Sequence, residues 1–386
     1  MPMFNPNVKV LGAPPVAVVL DWIDQYDGGH GPLIDLSQAV PGYPPHPDMM
    51  ASLARAAADT ASLGYGAIEG DDELRSAYAR HVAGHYGGDI RADDVMITSG
   101  CNQAFITAIM AIAGAGDKVL MVEPSYFNHD LTLKMLGISS GYIKASAETG
   151  FIPSLEDIRA AITPDVKALA LVNPNNPTGA IYPPDLLHEV MAICVKAGIW
   201  LLLDETYRDF LPPQDRAHDL FHSPSWRGNL MVLYSFSKAY CIPGHRLGAV
   251  VASPEAIAEM AKIMDSIQIC APRLGQMALT PMIDALAEWR AENSRQMAAR
   301  AAAFQATMAK AEGWEIKSLG AYFGYVEHPL AMSSGEAAEV MVRKAGVLTI
   351  PGDFFGEGQG RYLRFAFANA DIAVIEQIAD RLNLLS

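Results

Sequence analysis

Short apolar runs, each closed by a polar residue, recur along the first two-thirds of the chain. Val95-Met96-Ile97-Thr98 leads into Ser99-Gly100, and Lys118–Val122 ends at Glu123-Pro124. Val166–Val172 ends at Asn173-Pro174, Ile199–Leu203 ends at Asp204, and Leu230–Leu233 precedes Tyr234-Ser235. Runs this short, apolar at consecutive positions, predict strands buried on both faces. Leu247–Ala252 predicts another strand, and the Ala-, Phe- and Ile-rich stretch from Asn102 to Ile112 predicts a helix. The alternation predicts an α/β architecture, a mostly parallel sheet with helices on both faces. From about Met277 the texture changes. Ala285 to Lys310, rich in Ala, Arg, Glu and Gln, predicts an extended helix leading into a smaller α+β unit. The Pro- and Gly-rich segment before about Pro45 is expected to pack against that C-terminal unit rather than against the sheet.

Active-site groups in open α/β sheets gather at the carboxyl ends of strands, so the closing residues are where chemistry is expected. Lys238 stands in Ser235-Phe236-Ser237-Lys238, just past a strand, with Arg246 following. Ser235, Ser237 and the fork-shaped Arg246 side chain suit a dianionic phosphate. A lysine beside a phosphate ester points to a Schiff base with pyridoxal phosphate; the plain alternative is a surface loop with an ordinary lysine. The turn at Ser99-Gly100-Cys101-Asn102 opens a helix, whose first amides bind phosphate well or simply form a cap.

The other strand ends supply further groups. Tyr126 is placed to stack on a heteroaromatic ring, or else is a half-buried core tyrosine. Asn173-Pro174-Asn175-Asn176-Pro177-Thr178-Gly179 forces a defined, non-helical loop. That loop points the Asn176 amide into the site toward a phenolate oxygen, the alternative being a purely structural turn. Asp204 ends a strongly apolar strand, where a carboxylate is costly to bury unpaired. Its inferred partner is a protonated pyridine nitrogen, and the alternative is a helix cap. Tyr207 follows three residues on, beside Asn176 at the ring's 3-oxygen. Arg364 lies in Tyr362–Ala368, an otherwise apolar strand, and needs an anionic partner. A substrate α-carboxylate fits that need.

Composition narrows the partners. The 386 residues carry a formal net charge of −15, which argues against nucleic acid and against a polybasic membrane anchor. No apolar stretch approaches membrane-spanning length, and Met1–Pro6 lacks a signal-peptide pattern. Cys101, Cys194, Cys241 and Cys270 are scattered without metal-ligand spacing. No metal is therefore expected, and a reducing cytoplasm is.

Taken together, N-P-N-N-P-T-G, D-E-T-Y and S-F-S-K-x7-R-x-G, in that order, resemble the fold type I, class I/II aminotransferases that use pyridoxal phosphate. The resemblance spans Ile34 to Ala368. It implies a large domain over residues 46–276 on a mainly parallel sheet of the seven-stranded type, flanked by helices. A small α+β domain would be made from both chain ends, 1–45 and 277–386. The resemblance implies that Lys238 forms the internal aldimine and later serves as general base. Asp204 would pair with the pyridinium, Asn176 and Tyr207 would contact the 3-oxygen, and Tyr126 would stack on the ring. Ser235, Ser237, Arg246 and Cys101-Asn102 would hold the phosphate, joined by Tyr65 of Gly64-Tyr65-Gly66 from the neighbouring subunit of a homodimer. Arg364, Asn176 and Gly42 would meet the substrate. An amino group would pass between an L-amino acid and a 2-oxo acid. The same first contacts also serve lyases, synthases and oxidases or hydroxylases of secondary metabolism. A ligand-sensing regulator is a further alternative, but the stretch before Ile34 is too short and too rich in Pro and Gly for a DNA-binding module. The resemblance leaves the amino donor open.

Overall fold

The computed structural model describes residues 3–211 and 216–385. Seven strands form the main sheet: β1 (Val95–Thr98), β2 (Lys118–Glu123), β3 (Ser139–Lys144), β4 (Val166–Val172), β5 (Trp200–Asp204), β6 (Leu230–Ser235) and β7 (Gly248–Val251). Their spatial order is β1-β7-β6-β5-β4-β2-β3. All neighbouring pairs are parallel except those of β7, which runs antiparallel to both β1 and β6. Every residue of β1, β6 and β7 is buried. This is why those segments read as continuous apolar runs rather than as alternating ones. Edge strand β3 is partly exposed and carries Tyr142 and Lys144, side chains that discourage further pairing.

Helix α1 (Cys101–Ile112) follows β1, and α2 (Phe127–Leu136) follows β2. The long helix α3 covers Ala287–Met308, within two residues of the predicted bounds at each end. Beyond it, a four-stranded antiparallel sheet runs in the order Ile350–Pro351, Tyr362–Ala366, Phe323–Glu327, Glu315–Gly320. Arg364 sits mid-sheet, opposite Ile350 on one side and Tyr325 on the other.

The N-terminal segment divides, in contrast to the expectation for it. Ile34–Asp35 pairs in parallel with Val347–Leu348, and Leu36 accepts a hydrogen bond from the Ala366 amide at 2.8 Å, so this part joins the C-terminal unit. The helical turn Pro6–Lys9 instead lies on α2, while Gly12 to Val18 border both Glu123 and Phe127 and the 353–358 loop, and the helix Pro15–Leu20 contacts Ile350–Pro351 of the C-terminal sheet. A Pro-rich strap with exposed Val8 and Val10 has little apolar periodicity from which a docking face can be read. Among the described residues no helix is long and apolar enough to cross a membrane.

Candidate active site

The carboxyl ends of β4, β5 and β6 open into a cleft of about 180 Å³. Lys238, Asp204, Tyr207, Asn176, Tyr126, Ser235, Ser237, Arg246, Cys101 and Asn102 all line it, together with Val172 and Thr206. Ser235 caps the short helix Phe236–Ala239, its hydroxyl accepting from the Ser237 amide at 3.3 Å. The cap turns the chain so that Lys238 faces the cleft. Burial, with the nearby Arg364 and Arg246 cations, pulls the Lys238 ammonium down to about 8.

The anion-binding end depends on close backbone approach. Gly100 takes φ +84° and starts α1. A Cβ on Gly100 would stand 2.3 Å from an Arg246 nitrogen, and one on Gly248 would stand 2.6 Å from the Gly100 carbonyl carbon. The glycine two places after Arg246 is therefore a steric requirement: it lets the turn close onto β7 beneath the guanidinium. Arg246 Nη1 donates to Ser237 Oγ at 3.4 Å and to the Pro243 carbonyl at 3.1 Å. Ser235, Ser237, Arg246 and the helix start together form a cradle suited to a phosphate.

Asp204 is 4 % exposed. Burial alone would raise its carboxyl. The His129 ring beside it and two groups of Thr206 outweigh that and hold it below the usual carboxylate range. Asp204 Oδ1 accepts from the Thr206 amide at 2.9 Å. His129 Nε2 stands 3.3 Å from Oδ2, an electrostatic contact off the line of a well-directed hydrogen bond. The His129 ring stacks on Phe105 of α1 at 3.8 Å, which fixes its plane. Sequence reasoning missed His129. Its only signal is a histidine three residues after Tyr126, in the first turn of α2.

The Asn-Pro loop is braced from within. Asn173 Oδ1 accepts from the Tyr182 amide at 2.8 Å, and Asn175 Oδ1 accepts from Thr178 Oγ1 at 2.8 Å. Asn176 is thereby presented to two groups. Its Nδ2 donates to the Tyr207 hydroxyl at 3.3 Å, and its Oδ1 accepts from Arg364 Nη1 at 2.9 Å. Arg364 also donates to the Ser37 carbonyl, while its Nε has no partner. It is 2 % exposed, lies over the Phe323 and Phe355 rings, and forms no ion pair among the described residues. A buried guanidinium left without an anion is what a substrate carboxylate would satisfy.

Below the site, Glu205 is wholly buried. It accepts from the Tyr86 hydroxyl at 2.6 Å and stands 3.0 Å from His218 and 3.4 Å from Arg208. This anchor holds the loop bearing Asp204 and Tyr207, and nothing in the sequence pattern marked it. Three expected residues lie outside the cleft wall: Arg364, which sits behind Asn176, Gly42 and Tyr65. Gly42 donates to the Ala368 carbonyl at 3.1 Å, and a Cβ there would stand 2.7 Å from the Asn369 backbone. Tyr65 is 79 % exposed, away from its own chain's cleft.

The family model for aminotransferase class I and II matches residues 31–382. An aspartate aminotransferase of Sulfolobus acidocaldarius is 28 % identical over 339 residues, 86 % of this chain and 84 % of that protein. An aromatic aminotransferase of Arabidopsis thaliana is 27 % identical, covering 90 % of this chain and 88 % of its own. In fold, the chain is similar to a double mutant of Thermus thermophilus aspartate aminotransferase, with a TM-score of 0.92 at 23 % identity and full coverage of both chains. The phosphate cradle, the buried carboxylate and the lysine between them fit pyridoxal phosphate, and the chain belongs to the class I and II aminotransferases, enzymes that transfer amino groups with that cofactor.

Proposed function

We propose that the chain moves an amino group from an L-amino acid to a 2-oxo acid, with Lys238 as the residue that carries the cofactor and moves the proton. What supports this most is a single feature. Lys238, the buried Asp204 carboxylate and Arg246 converge on one cleft, with the unpaired Arg364 behind Asn176. Bound there, pyridoxal phosphate would supply an electrophilic carbonyl carbon and a cationic ring that accepts electron density from the substrate α-carbon. Arg246, Ser235, Ser237 and the amides at Cys101 and Asn102 would hold its phosphate. Asp204 would keep the ring nitrogen protonated, and His129 would hold Asp204 ionised. Asn176 and Tyr207 would meet the 3-oxygen, and Tyr126 would cover the ring. Arg364 would orient the α-carboxylate. The Lys238 amine, lowered to about 8, is matched to taking and returning the α-proton near neutral pH.

The same reading gives a homodimer in which the exposed Tyr65 reaches the neighbour's phosphate. It divides the chain into a large domain over 46–276 and a small one from 1–45 and 277–386. It places the enzyme in the cytoplasm, in keeping with four free cysteines. Borohydride reduction of the holoenzyme followed by peptide mapping tests the central assignment. The pyridoxyl group is expected on Lys238; finding it on Lys118, Lys262 or another lysine would overturn the assignment.

A further inference from the structure

A groove of about 560 Å³ borders the cofactor cleft and shares Asn102 with it. A second link runs through Tyr126, which lines the cleft and whose hydroxyl accepts a 2.8 Å hydrogen bond from Asn128 in the groove. Leu11, Pro14, Leu131, Met135 and Ile267 give the groove its apolar surface, and none of its lining residues is charged. Three of the polar residues within it, Ser99, Gln103 and Gln268, are committed to one another. Gln103 donates to Gln268 at 2.5 Å, Gln268 donates to Ser99 Oγ, and Gln103 accepts from the Ser99 amide at 2.6 Å. The lining holds no cation to meet a second carboxylate.

The surroundings point the same way. Gly12 separates the groove from a crevice whose lining includes Glu123, Asp130, Asp353 and Glu357. Lys134 in that crevice is engaged by Asp130 at 2.6 Å. An anionic side chain passing the strap would meet repulsion rather than attraction. On the exposed face carrying Tyr65, Gly66 is packed on Cys270, and the nearby Arg273 is taken by Asp71 at 3.3 Å and the Ala61 carbonyl at 2.6 Å. The large apolar side chains exposed on this face are Tyr65, Leu63 and Ile269.

We propose that the groove is the subsite for the substrate's side chain, and that the enzyme works on monocarboxylic amino acids with bulky, uncharged, apolar or aromatic side chains. The proposal rests on the aminotransferase reading, with the α-carboxylate on Arg364 and the side chain directed past Tyr126 toward Asn102. Several relatives are named aspartate aminotransferases. In this chain, a dicarboxylic donor would have to desolvate its second carboxylate without a cation to receive it.

Two measurements on the holoenzyme test the assignment. The first is single-turnover discharge of the cofactor, followed by absorbance, with Phe, Leu and Met against Asp and Glu. The apolar donors are expected to exceed the acidic ones by roughly tenfold or more in kcat/KM. The second is calorimetric binding of two unreactive acids, 3-phenylpropanoate and succinate, with the former expected to bind roughly tenfold tighter. Leu131→Arg should reverse both rankings toward the acidic ligands. Met135→Arg, at a more exposed position, serves if Leu131→Arg folds poorly. Discharge by Asp or Glu equal to that by Phe would overturn the proposal. So would rankings unchanged by either arginine, which would leave the groove to the neighbouring subunit. If no amino acid discharges the cofactor while the two acids keep their expected order, the aminotransferase reading fails and the groove assignment survives. Equal binding of the two acids sinks the groove assignment alone.

Discussion

Across Asn102 the lining of the molecule changes from ionisable to inert. On one side stand Lys238, Asp204, Arg246 and Tyr207; on the other stand Leu11, Leu131, Met135 and Ile267. The first set forms where polar residues end strands that are buried on both faces. The buried Asp204 charge is costly and persists because His129 and Thr206 meet it, whereas Arg246 stays exposed at the rim and is held by Ser237 and a carbonyl. The groove is assembled from a strap, three helices and the Ser99 turn, which are distant in sequence. Ser99, Gln103 and Gln268 hydrogen-bond among themselves, and no lining residue is charged. The contrast separates two tasks. The charged cleft handles what all amino acids share, and the inert groove meets the side chain in which they differ.

That division makes different substitutions fail differently. The largest effect is expected from Asp204→Asn, which keeps the shape but removes the charge facing the ring nitrogen. Transition-state stabilisation should fall by on the order of 3 kcal/mol, by about the same factor for every donor, since the lost group never meets the side chain. Single-turnover rates over a donor panel would show it. Activity within about threefold of the parent would make Asp204 structural. A loss confined to one donor class would erase the distinction between cleft and groove.

Tyr65 should have a smaller effect, also without regard to the donor. Tyr65→Phe removes one hydrogen bond to a charged group, about 1.5–3 kcal/mol, and should weaken cofactor retention while leaving donor ranking unchanged. Equilibrium dialysis of the cofactor measures this directly. Mixed dimers of Tyr65→Ala and Lys238→Ala chains extend the test, because one of their sites would carry both defects and the other neither. Such hybrids should recover about half the parent activity per dimer. No recovery in verified hybrids would return Tyr65 to its own subunit.

The smallest effect is a titration. In the cofactor-free chain, Lys238 is lowered from 10.5 to about 8, so its folded pKa lies below its unfolded one. Between those values the unfolded chain binds more protons, and this residue's contribution to folding stability rises with pH. The cost of burying its charge is fully present below about 8 and gone above the unfolded value. Lys238→Met should therefore be favoured over the parent at low pH, an advantage that fades across that window. Competitive acylation with peptide mapping should place the midpoint of Lys238 near 8. A midpoint near 10.5 would mean that the lysine is solvated and that the cleft lacks the electrostatic character separating it from the groove.

The residues that line the cleft were legible in the sequence because they are tied to local pattern. An apolar run buried on both faces has to end, and Asp204, Asn173 and Ser235 stand where such runs stop. The glycines around Arg246 were equally readable, although their reason appears only when the Gly100 turn is seen closing on Gly248. The expectation that the N-terminal segment packs wholly on the C-terminal unit failed in its first part. Residues 6–9 have few apolar anchors, and their docking on α2 follows from the shape of that surface rather than from any period of their own.

By itself the sequence determined six of the main sheet's seven strands, missing only the edge strand β3, together with the lysine, carboxylate and arginine of the cleft and the family to which they belong. A strand's burial and the polar residue that ends it are properties of neighbouring positions, and neighbouring positions are what a sequence displays. Only the tertiary structure decided that His129 faces Asp204, that Glu205 is locked by Tyr86, Arg208 and His218, and that an uncharged groove opens beside Asn102. Each is a contact between segments far apart in the chain. Its existence depends on how whole elements pack, because a buried charge or an inert wall is created by everything that surrounds it.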